Sequence, residues 1–306
     1  MSRGQPDETR VAAPVATRRL RLRIAYDGTA FFGAQVQPGQ RTVGGELGAA
    51  LARLNGGPAP VTFAGRTDRG VHAVGQIGHC DVATVLPDER VRRALNAILP
   101  SDVAILGLAT APNDFHARYD ARWREYRYQV WNAPVRVPTL TRTTWQILRP
   151  LDVGAMNAAT ASLIGEHDFA AFAGQGLGVP GRPSERSTIR ELYAAHWSTV
   201  TPDLPEPPGL MIELLIRGSG FLPQMVRTIV GAAVEVGMGR REPGWLAALL
   251  QGRDRAAVPA PSPPQGLSLW LVGYVEDQPP MAVSGWHGPD AETIANHGGP
   301  TGVPGN

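Results

Sequence analysis

The sequence contains no lysine, so all 29 basic residues of the 306-residue chain are arginines. This absence excludes a Schiff-base lysine, a lysine general base and the phosphate-binding loops that require lysine. An arginine guanidinium is a planar fork that suits phosphate groups and stacks on flat rings. The basic sites of the chain therefore suit nucleic acid, although the formal net charge of only +2 is weak evidence for such a partner.

Cysteine is also scarce, because Cys80 is the only one in the chain. A single cysteine excludes an intrachain disulfide and cysteine-rich zinc sites, and it favours a cytoplasmic location. No apolar run approaches the roughly 20 residues that a membrane-spanning helix needs. The charged N-terminus lacks the apolar segment of a secretory signal. We therefore expect a cytoplasmic protein that does not enter the membrane.

Hydrophobic periodicity divides the chain into four parts. Residues 1–18 and 278–306 lack periodicity and are rich in small and polar residues and proline, which predicts two disordered ends. Between them, strand-like and helix-like patterns alternate in two α+β halves of similar plan, 19–132 and 133–277. Strands are predicted within 20–28, 60–63, 73–82, 102–112, 123–132, 187–200, 209–218 and 266–275. Helices are predicted within 42–55, 87–100, 152–165, 221–237 and 243–252.

Glycine and proline mark a long loop at 174–187, "GQGLGVPGRPSERS". Its length indicates a functional loop over a cleft.

The segment from His116 to Arg149 combines positive charge with aromatic rings. It carries seven arginines against only two acids, and the rings interleave with them. This pattern suits phosphate contacts combined with base stacking. An ordinary strand with a solvated charged face is the alternative. The rings are Tyr119, Trp123, Tyr126, Tyr128, Trp131 and Trp145.

The stretch "FAGRTDRGVH", residues 63–72, places Asp68 between Arg66 and Arg69 in a glycine-bounded turn. A free aspartate is ionised at neutral pH, and a positioned carboxylate can be a nucleophile, a general base or a metal ligand. A surface turn with local ion pairs is the alternative interpretation. His72 could shuttle a proton, but a structural role is the more common one. The spacing of Asp68, His72 and His79 does not match a metal site, so we expect no metal.

Six stretches in order along residues 19–277 resemble the TruA family of tRNA pseudouridine synthases. The first, "GRTDRGVHAVGQ", is similar to the active-site motif of that family. The other five are "YDGTAFFGAQVQP", "NDFHARYDARWREYRYQVWN", "GEHDFAAF", "GFLPQMVRTIVGAAVEVG" and "PPQGLSLWLVGY".

The resemblance implies an α+β pseudouridine synthase fold. Two ferredoxin-like halves would form a continuous antiparallel sheet, with helices on one side and a basic cleft between the halves. It also implies a homodimer that acts on uridines 38–40 of the tRNA anticodon stem-loop and needs no cofactor. In the reaction the enzyme breaks the bond from ribose to uracil N1, rotates the base and rejoins it through C5.

The resemblance assigns roles to six residues. Asp68 corresponds to the catalytic aspartate, expected as the nucleophile, and Arg66 and Arg227 to catalytic arginines. The residues expected to contact the substrate are Tyr126, Leu267 and Leu269. Whether Asp68 attacks C1′ or takes a proton from C2′ is open at this point. We expect Arg66 to orient Asp68 and keep it ionised, and we expect Arg227 to have a buried partner, either Asp68 or RNA phosphate.

Three positions depart from the family pattern: Ala34, where tryptophan is usual, Arg69, where a small residue is frequent, and Pro223–Gln224. These departures put the RNA contacts of their loops in doubt.

Two other functions are alternatives to the synthase, a non-catalytic tRNA-binding or folding protein on the same fold and a nucleoside hydrolase. Asp68 beside Arg66 argues against the first, and the segment 116–149 argues against the second.

Overall fold

The computed structural model describes residues 16–174, 187–202, 204–205 and 208–275. These residues form one ten-stranded sheet and five α-helices, which confirms the predicted α+β class. The strands are β1 Arg18–Tyr26, β2 Thr62–Phe63, β3 His72–Val82, β4 Val103–Ala111, β5 Trp123–Asn132, β6 Trp145–Ile147, β7 Gly165–Asp168, β8 Ile189–Val200, β9 Leu210–Gly218 and β10 Leu267–Gly273. The helices are α1 Val43–Asn55, α2 Asp88–Ile98, α3 Val153–Ala161, α4 Met225–Gly237 and α5 Trp245–Gly252.

Some predicted segments lie outside the described residues. The predicted disordered ends lie outside the described residues except for 16–18, where β1 begins at Arg18. The predicted loop 174–187 also lies outside them, apart from its two terminal residues. Within the described ranges, no helix combines the length and apolar character that crossing a bilayer requires.

The last strand of the chain lies in the centre of the sheet. The strand order is β4-β1-β3-β10-β5-β9-β8-β7, with β2 paired to β3 and β6 paired to β5. Neighbouring strands are antiparallel except for the β10–β3 and β5–β6 pairs. Because β10 separates β3 from β5, strands from both predicted halves meet at the centre. The boundary between 19–132 and 133–277 stays a prediction.

One face of the sheet carries the main core. In β1, Leu20, Leu22 and Ile24 are fully buried, whereas the arginines between them are half-buried on the opposite face. The core face packs against the helices, and α4 is buried along nearly its whole length. An antiparallel sheet with one covered and one polar face shows this alternation.

Helix α4 begins at Met225, so the predicted start at residue 221 is wrong. Gln224 has a φ of 60°, in the left-handed region, and cannot continue a right-handed helix. Leu222 precedes Pro223 and is therefore biased away from helical backbone. The strands β6 and β7 were not predicted, because three and four residues are too few to show a period.

A buried ion pair lies on the polar face of the sheet. The Glu125 carboxylate is fully buried and lies 2.6 Å from Nη2 of Arg217 and 3.5 Å from Nε of Arg127. The guanidinium of Arg127 lies over the ring of Trp270 at 4.2 Å, and that of Arg217 lies over Trp123 at 4.7 Å. Glu125 therefore balances two cations at the centre of the sheet.

Replacing Glu125→Gln should lower the free energy of unfolding by roughly 3 kcal/mol, because it removes the buried carboxylate that lies 2.6 Å from Arg217, while Arg127 keeps its ion pair with Glu213 at 3.3 Å. Urea denaturation measures the change. Glu89→Gln is the matched control, since Glu89 forms an exposed ion pair with Arg92 within α2. Equal effects of the two substitutions on the free energy of unfolding would show that the buried ion pair contributes no more to stability than the exposed one.

Candidate active site

Asp68 lies in a turn between β2 and β3 that backbone hydrogen bonds hold from several sides. We call residues 65–70 the Asp68 turn. The N–H of Val71 donates to the Asp68 carbonyl at 3.1 Å, and the N–H of Ala34 donates to the Thr67 carbonyl at 3.1 Å. Gly70 has a φ of 80°, and a Cβ there would lie 2.9 Å from Pro264, so only glycine fits. The backbone of Asp68 is therefore fixed by its surroundings.

A buried polar network lies beneath the Asp68 turn. Gln76 on β3 has no exposed surface, and its Nε2 donates to the Gly65 carbonyl at 2.8 Å. The hydroxyls of Tyr26 and Thr67 form a buried hydrogen bond of 2.7 Å. Gln76 Nε2 also lies 3.4 Å from the Tyr26 hydroxyl. The network thus holds the turn on both sides of Arg66.

The ion-pair partner of Asp68 is Arg227, 159 residues away in sequence, on the first turn of α4. Nη1 of Arg227 lies 3.4 Å from Oδ2 of Asp68, and its Nε donates to the Ser262 carbonyl at 2.7 Å. The side chain of Arg227 is 13% exposed and that of Asp68 38% exposed. Arg227 therefore does pair with Asp68, one of the two expected partners, but this partner is half-exposed and not buried.

Arg66 and Arg69 make different contacts from those expected of neighbours of Asp68. Both side chains are exposed, and the described residues show no ion pair from either of them to Asp68. Arg69 instead lies over the ring of Phe32 at 4.2 Å. In this structure the orientation of the Asp68 carboxylate therefore depends on Arg227, and a role of Arg66 toward Asp68 stays a prediction.

Tyr126 lies on β5 beside the Asp68 turn. It is 7% exposed and packs edge-to-face on Phe221, with the ring centroids 5.2 Å apart. A Cβ on Gly65 would lie 3.7 Å from the Tyr126 hydroxyl, an ordinary contact distance, so the phenol lies directly beside the Asp68 turn. Burial raises the pKa of Tyr126 well above its ordinary value. The hydroxyl therefore stays protonated and can donate a hydrogen bond.

These residues line one cavity of about 820 Å³. Its lining includes Asp68, Tyr126 and Leu267, and among the described lining residues Asp68 is the single acid. Leu269 is fully buried and pairs with Tyr126 in the β10–β5 register, and it is not part of the lining. Five arginines also line the cavity: Arg66, Arg118, Arg124, Arg190 and Arg227. The excess of positive charge suits a polyanionic ligand.

Arg124 is a residue that the sequence reasoning missed. Its guanidinium donates to four backbone carbonyls at 2.8–3.0 Å, those of Ala64, Arg118, Ala121 and Ser219. Burial lowers its pKa from the usual value. The alternation of "WREYRY" places Arg124 on the same face as Tyr126, which is the one sequence signal for it. Arg124 joins the start of the Asp68 turn to the segment that carries Arg118.

His72 has the structural role that its position favoured. Its Nδ1 accepts from the N–H of Gly28 at 3.0 Å, and its Nε2 lies 2.8 Å from the Arg142 carbonyl. Both ring nitrogens are therefore occupied by backbone groups. Among the residues that the structure describes, no cluster of three or more histidine, cysteine or acidic side chains could hold a metal ion.

Two of the three departures from the family pattern, Ala34 and Pro223–Gln224, lie at the cavity or at the backbone that supports the Asp68 turn. Ala34 is fully buried and holds the Thr67 carbonyl, while its neighbours Gln35 and Val36 line the cavity. Pro223 and Gln224 also line it, directly before α4. Pro223 and Gln224 therefore lie at the wall of the cavity, Ala34 supports the Asp68 turn, and Arg69 lies outside the lining.

A family model described as tRNA pseudouridine synthase matches residues 23–120 and 159–275, more than half of the chain. The chain belongs to the tRNA pseudouridine synthase family. The match includes Asp68 and Arg227, the two residues whose side chains meet in the cavity. The resemblance stated from the sequence motifs is confirmed, and membership of this family favours an isomerase over the non-catalytic alternative.

Three curated relatives, each called tRNA pseudouridine synthase A, match nearly their whole length. The protein from Geobacillus kaustophilus is 42% identical over 265 residues, 86% of this chain and 96% of that protein. The one from Citrifermentans bemidjiense is 40% identical over 260 residues, 85% and 98% of the two chains. The one from Syntrophotalea carbinolica is 40% identical over 255 residues, 83% and 96%.

Among solved structures, an unknown protein from Galdieria sulphuraria aligns over 73% of this chain and 95% of its own. Its identity is 14% and its TM-score 0.21, which is too low to indicate a shared fold.

Replacing Gln76→Leu should slow pseudouridine formation by about 100-fold at saturating RNA, because the Asp68 turn loses its support and a displacement of about 1 Å is that costly. The KM for RNA should change little, since Gln76 does not line the cavity. Steady-state kinetics measures both quantities. Gln37→Leu, on an exposed glutamine, is the control and should leave both unchanged. A Gln76 variant with normal kcat would contradict the role of the network.

Proposed function

We propose that this protein converts uridine to pseudouridine at positions 38–40 of the tRNA anticodon stem-loop, with Asp68 as the reacting carboxylate. The observation that carries the proposal is the cavity beside the buried Tyr126, in which Asp68 is the one acid among five arginines of the described lining. Membership of the tRNA pseudouridine synthase family supports the reaction. The names of the relatives support tRNA as the substrate.

The chemistry needs one positioned carboxylate. Breaking the bond from C1′ to N1 leaves an electron-poor sugar carbon, which the Asp68 carboxylate either attacks directly or relieves by taking a proton from C2′. The detached uracil then rotates and C5 forms a bond to C1′. This breaks the Asp68–C1′ ester bond in the first route, and in the second route Asp68 returns the proton to C2′. The proton on C5 is then lost while N1 gains one. The product has the same atoms as the substrate and the same oxidation level. The reaction therefore needs no redox cofactor.

Tyr126 and Leu267 form the proposed binding site for the uracil ring. The Tyr126 phenol offers a face for stacking, and its protonated hydroxyl can donate to a carbonyl oxygen of the base. Leu267 adds an apolar wall, while the buried Leu269 lies opposite Tyr126 in the β10–β5 register. In this arrangement Arg227 orients Asp68, and Arg66 is free to reach the RNA backbone.

Binding must compensate for removing the uridine from its stem. Flipping a base out costs a few kcal/mol, and one base–aromatic stack returns roughly 1–3 kcal/mol. Contacts from arginine to phosphate must supply the rest, and the lysine-free chain makes all of them with planar guanidinium groups. Such contacts weaken as salt rises, because counterions that were released on binding compete again.

The proposal also includes a homodimer in which each tRNA bridges both subunits, and a cytoplasmic location. The first follows from the resemblance to the TruA family. The second is supported by the single cysteine, which is buried.

The test is to incubate a tRNA transcript with the full-length protein and map pseudouridine by carbodiimide modification and primer extension. Wild type should modify positions within 38–40. Asp68→Asn should lower the rate by at least about 1,000-fold, because the amide is neither a nucleophile nor a base. Asp81→Asn is the matched control, since Asp81 pairs with Arg19 at the surface and should have no effect.

Three other outcomes would contradict the proposal in different ways. Equal product from Asp68→Asn would show that Asp68 does not react. Free uracil as the product would favour the nucleoside hydrolase. Tight tRNA binding without any pseudouridine from the wild type would favour the non-catalytic RNA-binding protein.

A further inference from the structure

Tyr119 differs from the other aromatic residues of the segment 116–149. The other five rings are buried or half-buried, whereas Tyr119 is 76% exposed. It is also the one aromatic among the exposed large hydrophobic residues of the described ranges. Tyr119 and its neighbour Arg118 both line the cavity that contains Asp68. An exposed ring at this place is available to a ligand of that cavity.

The ring of Tyr119 is held in place from one side. It stacks on His116, with ring centroids 4.2 Å apart and 28° between the planes. Nδ1 of His116 accepts from the N–H groups of Arg118 and Tyr119, each at 3.2 Å, and the His116 N–H donates to Asp120 at 2.7 Å. His116 covers one face of the ring, and the guanidinium of Arg118 lies over the ring 5.9 Å from its centroid. Because 76% of Tyr119 is still exposed, the ring remains accessible to a ligand. A rigid aromatic face binds a flat partner with little loss of side-chain entropy.

The segment below this ring is anchored to buried strand β3. Nδ1 of His79 accepts from the N–H of Ala117 at 3.1 Å, and the His79 ring packs edge-on against His116 at 4.8 Å. Burial lowers the pKa of His79, so it stays neutral and keeps this acceptor at physiological pH. The exposed ring therefore stands on a fixed base.

Arg124 fixes this segment relative to the Asp68 turn. The same Nη2 donates to the carbonyl of Arg118 at 2.8 Å and to that of Ala64, directly before the turn, at 3.0 Å. The position of Tyr119 is thus set with respect to the reacting carboxylate. A ligand that reaches Asp68 and extends beyond it meets Tyr119 at a defined place.

We propose that Tyr119 is a stacking platform for a nucleobase that flanks the target uridine, with Arg118 contacting the adjacent phosphate. The proposal rests on the proposed function, in which the uridine leaves the stem. That departure leaves its neighbour without a stacking partner, and an exposed aromatic ring replaces the lost stack. The surrounding arginines favour RNA over a protein partner, since they supply phosphate contacts around the ring.

The test uses an anticodon stem-loop RNA with 2-aminopurine at one flanking position at a time, bound to the full-length Asp68→Asn protein so that no turnover occurs. 2-Aminopurine fluoresces weakly when stacked and strongly when unstacked. At saturating protein, the complex with Tyr119 should stay dim at one flanking position. Tyr119→Ala in the same background should brighten that position several-fold, and Tyr119→Phe should keep it dim.

Affinity gives the second readout. Tyr119→Ala should weaken RNA binding about tenfold, the effect of losing one base–aromatic stack, whereas Tyr119→Phe should bind like the parent. Tyr193→Ala on β8 is the matched control, because Tyr193 is not among the residues that line the cavity, and it should change neither readout. A circular dichroism melt of each variant detects unfolding, and Tyr119→Phe tests stacking in a protein that keeps the ring.

Unchanged fluorescence and affinity in Tyr119→Ala would overturn the proposal. A change in sedimentation of the RNA-free Tyr119→Ala protein, with affinity unaltered, would also overturn it, because Tyr119 would then be a contact between subunits. Failure of the proposed function gives a different result from failure of the stacking proposal. In that case the wild type forms no pseudouridine, while binding and fluorescence still report whether the platform exists.

Discussion

The contact between Asp68 and Arg227 depends on the whole sheet, and the proposed chemistry depends on that contact. The two residues are 159 positions apart in sequence, on a turn after β2 and on the first turn of α4. They meet because β10 pairs with β3 on one side and β5 on the other, which brings both chain halves together at the centre. The site therefore requires the central strand pairing that joins the two halves.

The electrostatics of the cavity follow from how its arginines are held. Arg124 is bound by four backbone carbonyls, Arg190 by the carbonyls of Ser187 and Ile189, and Arg227 by that of Ser262 as well as by Asp68. Carbonyl groups fix a guanidinium without neutralising its charge. The arginines keep fixed positions and a net positive field, which is what a substrate of linked phosphates requires.

Local patterns predicted most elements of the fold but few of the long-range contacts. The alternation in "LRLRIAYDG" and the helical spacing in residues 42–55 depend on neighbouring residues, so β1 and α1 follow from them. The ion pair of Asp68 does not. Sequence distance favoured Arg66, whereas the sheet topology supplies Arg227. For Arg124, the alternation of "WREYRY" indicated only the face of the strand. Its long-range partners could not be predicted, because they are backbone carbonyls of residues distant in sequence.

A double-mutant cycle on Asp68 and Arg227 tests most directly whether the two residues act as one catalytic unit. Single-turnover rates of pseudouridine formation, at protein concentrations that saturate tRNA, are compared for Asp68→Asn, Arg227→Gln and the double variant. If Arg227 acts by orienting Asp68, the double variant should be no slower than Asp68→Asn alone. Independent effects, in which the two rate losses multiply, would contradict the claim that this ion pair forms the reacting unit.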